Sequence, residues 1–359
     1  MSDYYISHIS PGDRRGNASV DALLEAEGIR RDGNLDYTCG MFDSDMNLIA
    51  TGSCYGNTLR CMAVDSAHQG EGLMNQIVTH LMEVQVNRCN TRLFLYTKCS
   101  SAKFFGDLGF HEIARVDGQV VFMENRRNGF SDYLKRLKDT DSSHGQSGIC
   151  HPSSLNPAAA LVMNANPFTL GHLYLVEKAA AENHTVHLFI VSEDSSLIPF
   201  PVRRQLVKEG TAHLPNIIYH DSGPYIISSA TFPSYFQKDG AAVIESHARL
   251  DLAVFTRIAA ALHITKRYVG EEPTSMVTGI YNRIMAEELP KSGVECIVVP
   301  RMTQGNEIIS ASTVRLAVKE GNMDLLRTMV PESTLRFFLS PEAEPVIQRI
   351  KETEHVIHY

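Results

Sequence analysis

The sequence has no tryptophan, no C-x-x-C pair and no uninterrupted apolar run near transmembrane length, and each of the last two absences removes a class of protein. Without a run of about eighteen apolar residues no membrane-spanning helix is expected. The start, Met1-Ser-Asp-Tyr-Tyr5, lacks the basic residues and apolar stretch of a signal peptide. Seven cysteines, at 39, 54, 61, 89, 99, 150 and 296, are odd in number and unpaired in spacing, which suits neither a disulfide framework nor a zinc ribbon. Reduced thiols in a cytoplasmic protein are the expectation. Basic charge is also scarce. A formal net charge of -8 opposes any partner bound by neutralising many phosphates, so nucleic acid is not expected. Small phosphorylated ligands stay compatible, because they need a few placed donors and not a basic surface. His144, Cys150 and His151 lie close together in a Ser/Gly/His-rich stretch, but without ordered ligand spacing, and no metal centre is predicted.

At 359 residues the chain exceeds one ordinary core, and two domains are expected. Strands are predicted at 48–53, 58–64, 92–97 and 120–124, with a helix at 73–86 on the spacing of its apolar residues and a short one at 101–108. Adjacent strands with interposed helices indicate an α+β layer over residues 1–128. Residues 129–157 read as a short amphipathic helix, 130–139, and a linker rich in Ser, Gly, His and Pro. From 158 the pattern changes. The fully apolar run 158–163 suits a buried parallel strand, and further strands at 187–191, 217–220, 267–270 and 295–300 alternate with helices at 171–182 and 203–213. This alternation predicts an α/β doubly wound parallel sheet over 158–345, followed by a tail, 346–359. Ligands of such sheets sit beyond the strands' carboxyl ends, where the loops after Met163, Val191, Gly270 and Pro300 would converge.

The strongest local signal is Asn164-Ala-Asn166-Pro-Phe168-Thr169-Leu-Gly171-His172, directly after the first of these strands and opening a helix. A helix N-terminus offers unpaired N–H groups to an anion. Gly171 permits close backbone approach, and Thr169 and His172 can donate to phosphate oxygens. A helix-capping Thr169 beside an incidental His172 is the plainer alternative. The second signal is Ile309-Ser310-Ala-Ser312-Thr313-Val-Arg315. Ser312 or Thr313 is expected to cap the helix that follows, with Arg315 in its first turn. There the cation opposes the helix dipole unless a polyphosphate pairs with it.

These two strings together resemble the T/H-x-G-H and I-S-x-S-x-x-R signatures of the nucleotidyltransferase superfamily. The longer run from Val162 to His172 is similar to a narrower group, the citrate lyase ligases. So are residues 189–201, Pro224-Tyr-Ile-Ile-Ser-Ser-Ala-Thr-Phe-Pro233 and Tyr268-Val-Gly-Glu-Glu-Pro273. The resemblance implies a Rossmann-like domain in which Thr169, His172 and Arg315 are catalytic. It implies that Asn164, Asn166, Phe168, Gly171, Arg203, Gly270, Glu271, Ile309, Ser310, Ser312 and Thr313 bind the nucleotide. It further implies ATP as substrate with Mg²⁺. Acetate would attack the α-phosphate to give acetyl-adenylate and pyrophosphate. The thiol of a phosphoribosyl-dephospho-CoA group, on the acyl carrier subunit of citrate lyase, would then take the acetyl group and release AMP.

The N-terminal block resembles the GNAT acetyltransferase fold. Cys61-Met-Ala-Val64-Asp-Ser-Ala67-His-Gln69-Gly70-Glu-Gly72-Leu73 fits its strand, glycine loop and helix, and Lys103-Phe-Phe-Gly-Asp-Leu-Gly-Phe-His111 fits the segment that follows. Val64, Gln69, Gly70 and Gly72 are the positions implied for a CoA-like group. Ala67 departs from the usual Arg or Gln. Two other readings fit the same motifs: an adenylyltransferase that makes a dinucleotide-type cofactor, and a GNAT acetyltransferase with a nucleotide-binding regulatory domain. The tyrosine- and serine-rich run 225–236 is expected to be a loop over the site.

Overall fold

The computed structural model describes residues 4–145, 158–232, 240–272, 275–304 and 307–354. The linker stretch 146–157, with Cys150 and His151, lies outside them, as do 233–239 and the last five residues. The chain divides into two compact units, Met1–Gly129 and Phe130–Tyr359.

The first unit is a seven-stranded sheet, with α1 (Arg14–Ala26) on one face and α2 (Leu73–Asn87) and α3 (Ala102–Asp107) on the other. Its strands are β1 (Tyr5–His8), β2 (Tyr37–Phe42), β3 (Leu48–Tyr55), β4 (Thr58–Val64), β5 (Phe94–Thr97), β6 (His111–Val116) and β7 (Val120–Glu124). They lie in the order β1-β2-β3-β4-β5-β7-β6, an α+β layer as expected. β4 and β5 pair in parallel, through Thr58 with Phe94 and Leu59 with Leu95, and part beyond that point. Alternation assigns the two faces. Cys39 and Met41 pack with Ile77 and Leu81 of α2, whereas Phe42 packs with Val20 and Leu23 of α1.

In the second unit α4 (Gly129–Gly145) runs past the predicted 130–139. Phe130 and Tyr133 close on Tyr225, with ring centroids 4.9 and 4.8 Å away. The sheet contains β8 (Ala158–Met163), β9 (Thr185–Ile190), β10 (Ile217–Asp221), β11 (Ile264–Gly270) and β12 (Glu295–Val299), ordered β10-β9-β8-β11-β12 and parallel throughout. This is the doubly wound arrangement. The chain returns to the centre between β8 and β11, and that switch opens a crevice at their carboxyl ends. Buried alanine, leucine and methionine fill β8, whose two neighbours and two helical layers leave only Val162 partly exposed.

Helices α5 (Leu170–Glu182), α6 (Phe200–Gly210), α7 (Ala241–Ala261) and α8 (Met276–Glu288) flank the sheet. Helix α6 starts three residues before the expected Arg203, because Pro201 is tolerated in a first turn. After β12 come α9 (Ala311–Glu320), α10 (Met323–Met329), α11 (Glu332–Leu339) and α12 (Glu344–Glu352), which share a second apolar cluster. The segment set apart as a tail from 346 is therefore a packed helix over most of its described length, with Val346 and Ile350 buried. Among the described residues no helix is long and apolar enough to cross a membrane, and six cysteines are free thiols.

Candidate nucleotide site

The loop from Asn164 to Thr169 leaves β8 at the switch and turns into α5. Thr169 is the N-cap of α5, with its hydroxyl accepting from the His172 N–H at 3.3 Å. In return the Thr169 backbone N–H donates to His172 Nδ1 at 3.1 Å. This is a capping box with histidine in the place usually held by Glu or Gln. A backbone N–H can only donate, so Nδ1 accepts and the ring proton sits on Nε2. The Thr169 hydroxyl, 2.9 Å from Nδ1, donates there too. Burial, and next the charge of Arg301, push the His172 pKa down to about 4. At neutral pH the ring is therefore an uncharged Nε2–H donor at a helix N-terminus.

The second motif meets the first here. The position a Cβ would take on Gly171 is 3.3 Å from the Ile309 carbonyl oxygen, and Arg315 Nη1 donates to the Asn166 carbonyl at 2.6 Å. Segments about 140 residues apart in sequence thus share one corner of the sheet. Asn166 is 3% exposed. Its Oδ1 accepts from the Ile198 N–H, while its Nδ2 has no partner among the described residues. An orphaned buried donor beside a helix N-terminus fits an oxygen-rich ligand. Asn164 is bound through its amide to Ser196. Ser310 accepts from the Thr313 N–H at 3.0 Å and the two hydroxyls lie 2.8 Å apart. At the far side of the crevice the Gly270 carbonyl accepts from Asn282. Glu271 is exposed, with its backbone N–H on Val299.

Several expectations change. The cap of α9 is Ser310, not Ser312 or Thr313, because the helix begins at Ala311. Arg315 consequently falls past the first turn and is 2% exposed, and Ser312 Oγ accepts from its Nη2. Burial lowers its pKa to about 10, which leaves it cationic at neutral pH. The Thr169 hydroxyl, expected on a phosphate, is occupied with His172. Phe168, expected at the nucleotide, is wholly buried in the core, where it stacks under the His172 ring at 5.9 Å. Arg203, expected at the nucleotide, is also wholly buried. It donates to the carbonyls of Ile198, Asn164, Val191 and Glu193 at 2.8–2.9 Å. Arg203 therefore ties the loops after β8 and β9 together, and its donors point at protein oxygens.

One basic residue of the site escaped sequence reasoning. Arg301 follows β12 by two positions, close enough to His172 to lower its pKa. Its Nε donates to the Glu271 carbonyl at 2.8 Å and its Nη2 pairs with the Glu272 carboxylate. The available signal was its place, a lone cation in the loop directly beyond a strand's carboxyl end.

In the first unit Val64 ends β4, and the loop to α2 carries Gly70 at φ +90° and Gly72 at φ +76°. Gly72 is the N-cap of α2 without a side-chain cap. These left-handed positions suit glycine and keep side chains away from the helix N-terminus. Gln69 lies within 3.5 Å of Glu27.

The family description that matches this chain is the citrate lyase ligase C-terminal domain, over residues 158–338. The [citrate [pro-3S]-lyase] ligase of Haemophilus influenzae is 36% identical over 324 residues, 89% of this chain and 93% of that protein. The ligase of the same name from Klebsiella pneumoniae is 34% identical over 335 residues, 91% and 94% of the two chains. The chain belongs to the citrate lyase ligase family. Its first unit is also similar to solved acetyltransferases. These include a GNAT-family acetyltransferase of Staphylococcus aureus (12% identity, TM-score 0.29, 34% of this chain and 99% of that one). The first unit is also similar to Escherichia coli ElaA (15% identity, TM-score 0.29, 35% of this chain and 100% of that one).

Proposed function

We propose that this ligase acetylates the thiol prosthetic group of the citrate lyase acyl carrier subunit at the expense of ATP, and so activates the lyase. In the first step an acetate oxygen bonds to the α-phosphorus of ATP and the bond to the bridging oxygen breaks, releasing pyrophosphate. In the second the thiol sulfur bonds to the acetyl carbon of acetyl-adenylate and AMP leaves, with the thiol proton passing to solvent. The prosthetic group would be phosphoribosyl-dephospho-CoA.

The observation that carries this reading is the junction of the two motifs at the end of β8. It assembles a neutral His172 Nε2–H, the amides of the α5 N-terminus and the Asn166 Nδ2 in one corner. Phosphoryl chemistry of this kind asks little covalent work of a protein; positioning and neutralisation of charge dominate. His172 donates to the α-phosphate. Gly171 admits the phosphate chain against the backbone of α5. Arg301 meets the departing pyrophosphate, with Arg315 holding the Asn166 loop from behind. Thr169 acts by fixing the His172 tautomer. Mg²⁺ would arrive on the phosphates, and the exposed Glu271, directly beyond the carboxyl end of β11, could meet it. The glycine loop before α2 would receive the CoA-like portion of the prosthetic group.

Incubation with ATP, Mg²⁺, acetate and deacetylated citrate lyase tests the reading, with AMP, pyrophosphate and thioester assayed together. Equal yields of all three are expected. AMP retained in a dinucleotide product would replace this reading with an adenylyltransferase, and acetyl transfer from acetyl-CoA without ATP would replace it with a GNAT acetyltransferase.

A further inference from the structure

Arg301 stands two residues beyond β12, and the backbone of its neighbour shows what it adjoins. The Met302 carbonyl accepts from the Ile309 N–H at 3.2 Å. The Ile309 carbonyl in turn lies 3.3 Å from the position a Cβ would take on Gly171. A chain of backbone contacts therefore joins the loop after β12 to the N-terminus of α5. Across this junction the charge of Arg301 acts on the His172 ring, whereas Glu272 is not among the groups that do. The guanidinium is thus the nearer of the two to the imidazole, with the acid behind it.

Behind it is a frame made of the loop after β11 and the start of α8. Glu272 Oε2 takes Arg301 Nη2, while its Oε1 accepts the Ser275 N–H at 3.1 Å. Ser275 is the N-cap of α8, and a carboxylate is favoured at such a helix start. Asn282, about two turns along the same helix, donates to the Gly270 carbonyl at 2.9 Å. Both ends of the segment 270–272 are therefore fastened to α8. Arg301 Nε donates to the Glu271 carbonyl at 2.8 Å. Nε and Nη2 are thus both held by this frame, and Nη1 donates to nothing among the described residues.

An arginine left to itself samples many rotamers. A donor that must first be ordered contributes less to a transition state than one already in place. Two held nitrogens remove that search. Ion pairs, exposed or buried, are weak evidence of stability by themselves. What this pair fixes is the direction of the remaining nitrogen.

We propose that Glu272 is the positioning residue for the leaving pyrophosphate. It holds Arg301 with Nη1 turned toward the corner where the bond to the bridging oxygen breaks, so that the cation is in place as charge grows on the departing group. This assignment rests on the two-step reading above. It concerns only the first step, since the second releases AMP and no pyrophosphate.

Glu272→Gln keeps the volume and an acceptor for Ser275, and removes the charge that holds Arg301. Two assays on the full chain test the assignment. One is acetate-dependent pyrophosphate–ATP exchange, and the other is AMP release from synthetic acetyl-adenylate with deacetylated citrate lyase. We expect the kcat of exchange to fall about tenfold or more, with the KM for ATP within about twofold of wild type or lower. AMP release from acetyl-adenylate should stay within about twofold. Glu272→Asp keeps the charge one methylene short, and the same split in smaller degree is expected. It keeps the test open should the glutamine variant fail to fold. An equal loss in both assays with a lower melting temperature overturns the assignment, because it marks a purely structural frame. So does a change in the KM for ATP at an unchanged kcat, which would place the acid's effect in the ground state. Exchange absent from the wild-type protein overturns the two-step reading itself. Normal exchange in the wild type and in both variants overturns only the role of Glu272.

Discussion

The backbone N–H of Thr169 donates to Nδ1 of His172 across 3.1 Å, and this one bond decides how the imidazole presents itself. With Nδ1 committed as acceptor, the single ring proton stays on Nε2, the atom that remains to meet a ligand. His172→Ala removes that donor without disturbing the core, since the ring is only part-buried. Loss of one preorganised donor to a developing oxyanion costs about 2.7–4 kcal/mol of barrier. We expect adenylation to fall by about 100-fold or more, with a far-ultraviolet spectrum and melting temperature close to wild type. Pyrophosphate release at a near-normal rate in this variant would remove His172 from the mechanism.

The same bond sets a pH dependence. The folded-state pKa of His172 is about 4, below the unfolded value near 6.5, so between these values the unfolded chain binds more protons. Stability is therefore full above about pH 6.5 and declines as pH falls toward 4, by roughly 3 kcal/mol at most from this residue. His187, which burial also pushes down to about 4, adds in the same direction. Urea midpoints between pH 7 and 4.5 should drop less steeply in His172→Ala than in wild type. Adenylation, in contrast, should show no inflection near pH 6.5 that disappears in this variant. An inflection of that kind would mean a protonated ring takes part.

Gly171 offers a test in which stability and activity part company. It is the second residue of α5, where alanine is favoured over glycine by up to about 1 kcal/mol. Yet the added methyl would sit 3.3 Å from the Ile309 carbonyl oxygen, so the two motif segments must separate slightly. We expect Gly171→Ala to melt at or slightly above the wild-type temperature. The KM for ATP should nevertheless rise roughly tenfold, because small misplacements of a phosphate cradle are costly. A variant that is both more stable and fully active would show that the close approach has no role.

Much of this was legible in the chain. The apolar run of β8 and the turn after it gave the strand and the N-terminus of α5, because a buried parallel strand and a helix N-terminus each have a local composition. β4, β7 and β8 have the predicted limits. Other parts were invisible locally. β1 has four residues with an exposed pattern, and β2 contains Gly40 and no alternation. β2 is a strand because β3 supplies a template, and β1 because β2 does in turn. The contacts of Arg203 and the presence of Arg301 at the site were out of reach for a shared reason. A cation's spacing does not say whether its donors meet carbonyls of its own fold or a ligand, and only tertiary contacts separate the two.

Arg203 leads to a prediction of stability and not of catalysis. Its guanidinium satisfies four carbonyls inside the fold. Arg203→Met keeps most of the volume but strands those acceptors, at about 3 kcal/mol or more. The variant should unfold at distinctly lower denaturant concentration. At a temperature where it remains folded, its KM for ATP should stay within about threefold of wild type. A folded variant with a large and selective loss of ATP binding would return Arg203 to the nucleotide site.

Arg301 is expected to behave oppositely. Its side chain retains 19% exposure beside a Glu272 carboxylate at 13%, so removing it takes the cation from a partly solvated acid that still accepts from the Ser275 N–H, and leaves little unfilled volume. Its charge is one of the two causes that depress His172. Arg301→Ala should therefore raise the His172 pKa toward its ordinary value, a direction that histidine ring resonances followed by NMR from pH 4 to 8 can read. It should also raise the KM for ATP by about tenfold or more, as loss of a charge-assisted contact to phosphate requires. Glu272→Gln separates the two effects. It breaks the ion pair yet leaves the cation in place, so ATP binding should be kept or improved while His172 stays low. If Arg301→Ala moved neither the resonance nor the KM, the cation would serve only to fasten the loop after β12 to the loop after β11.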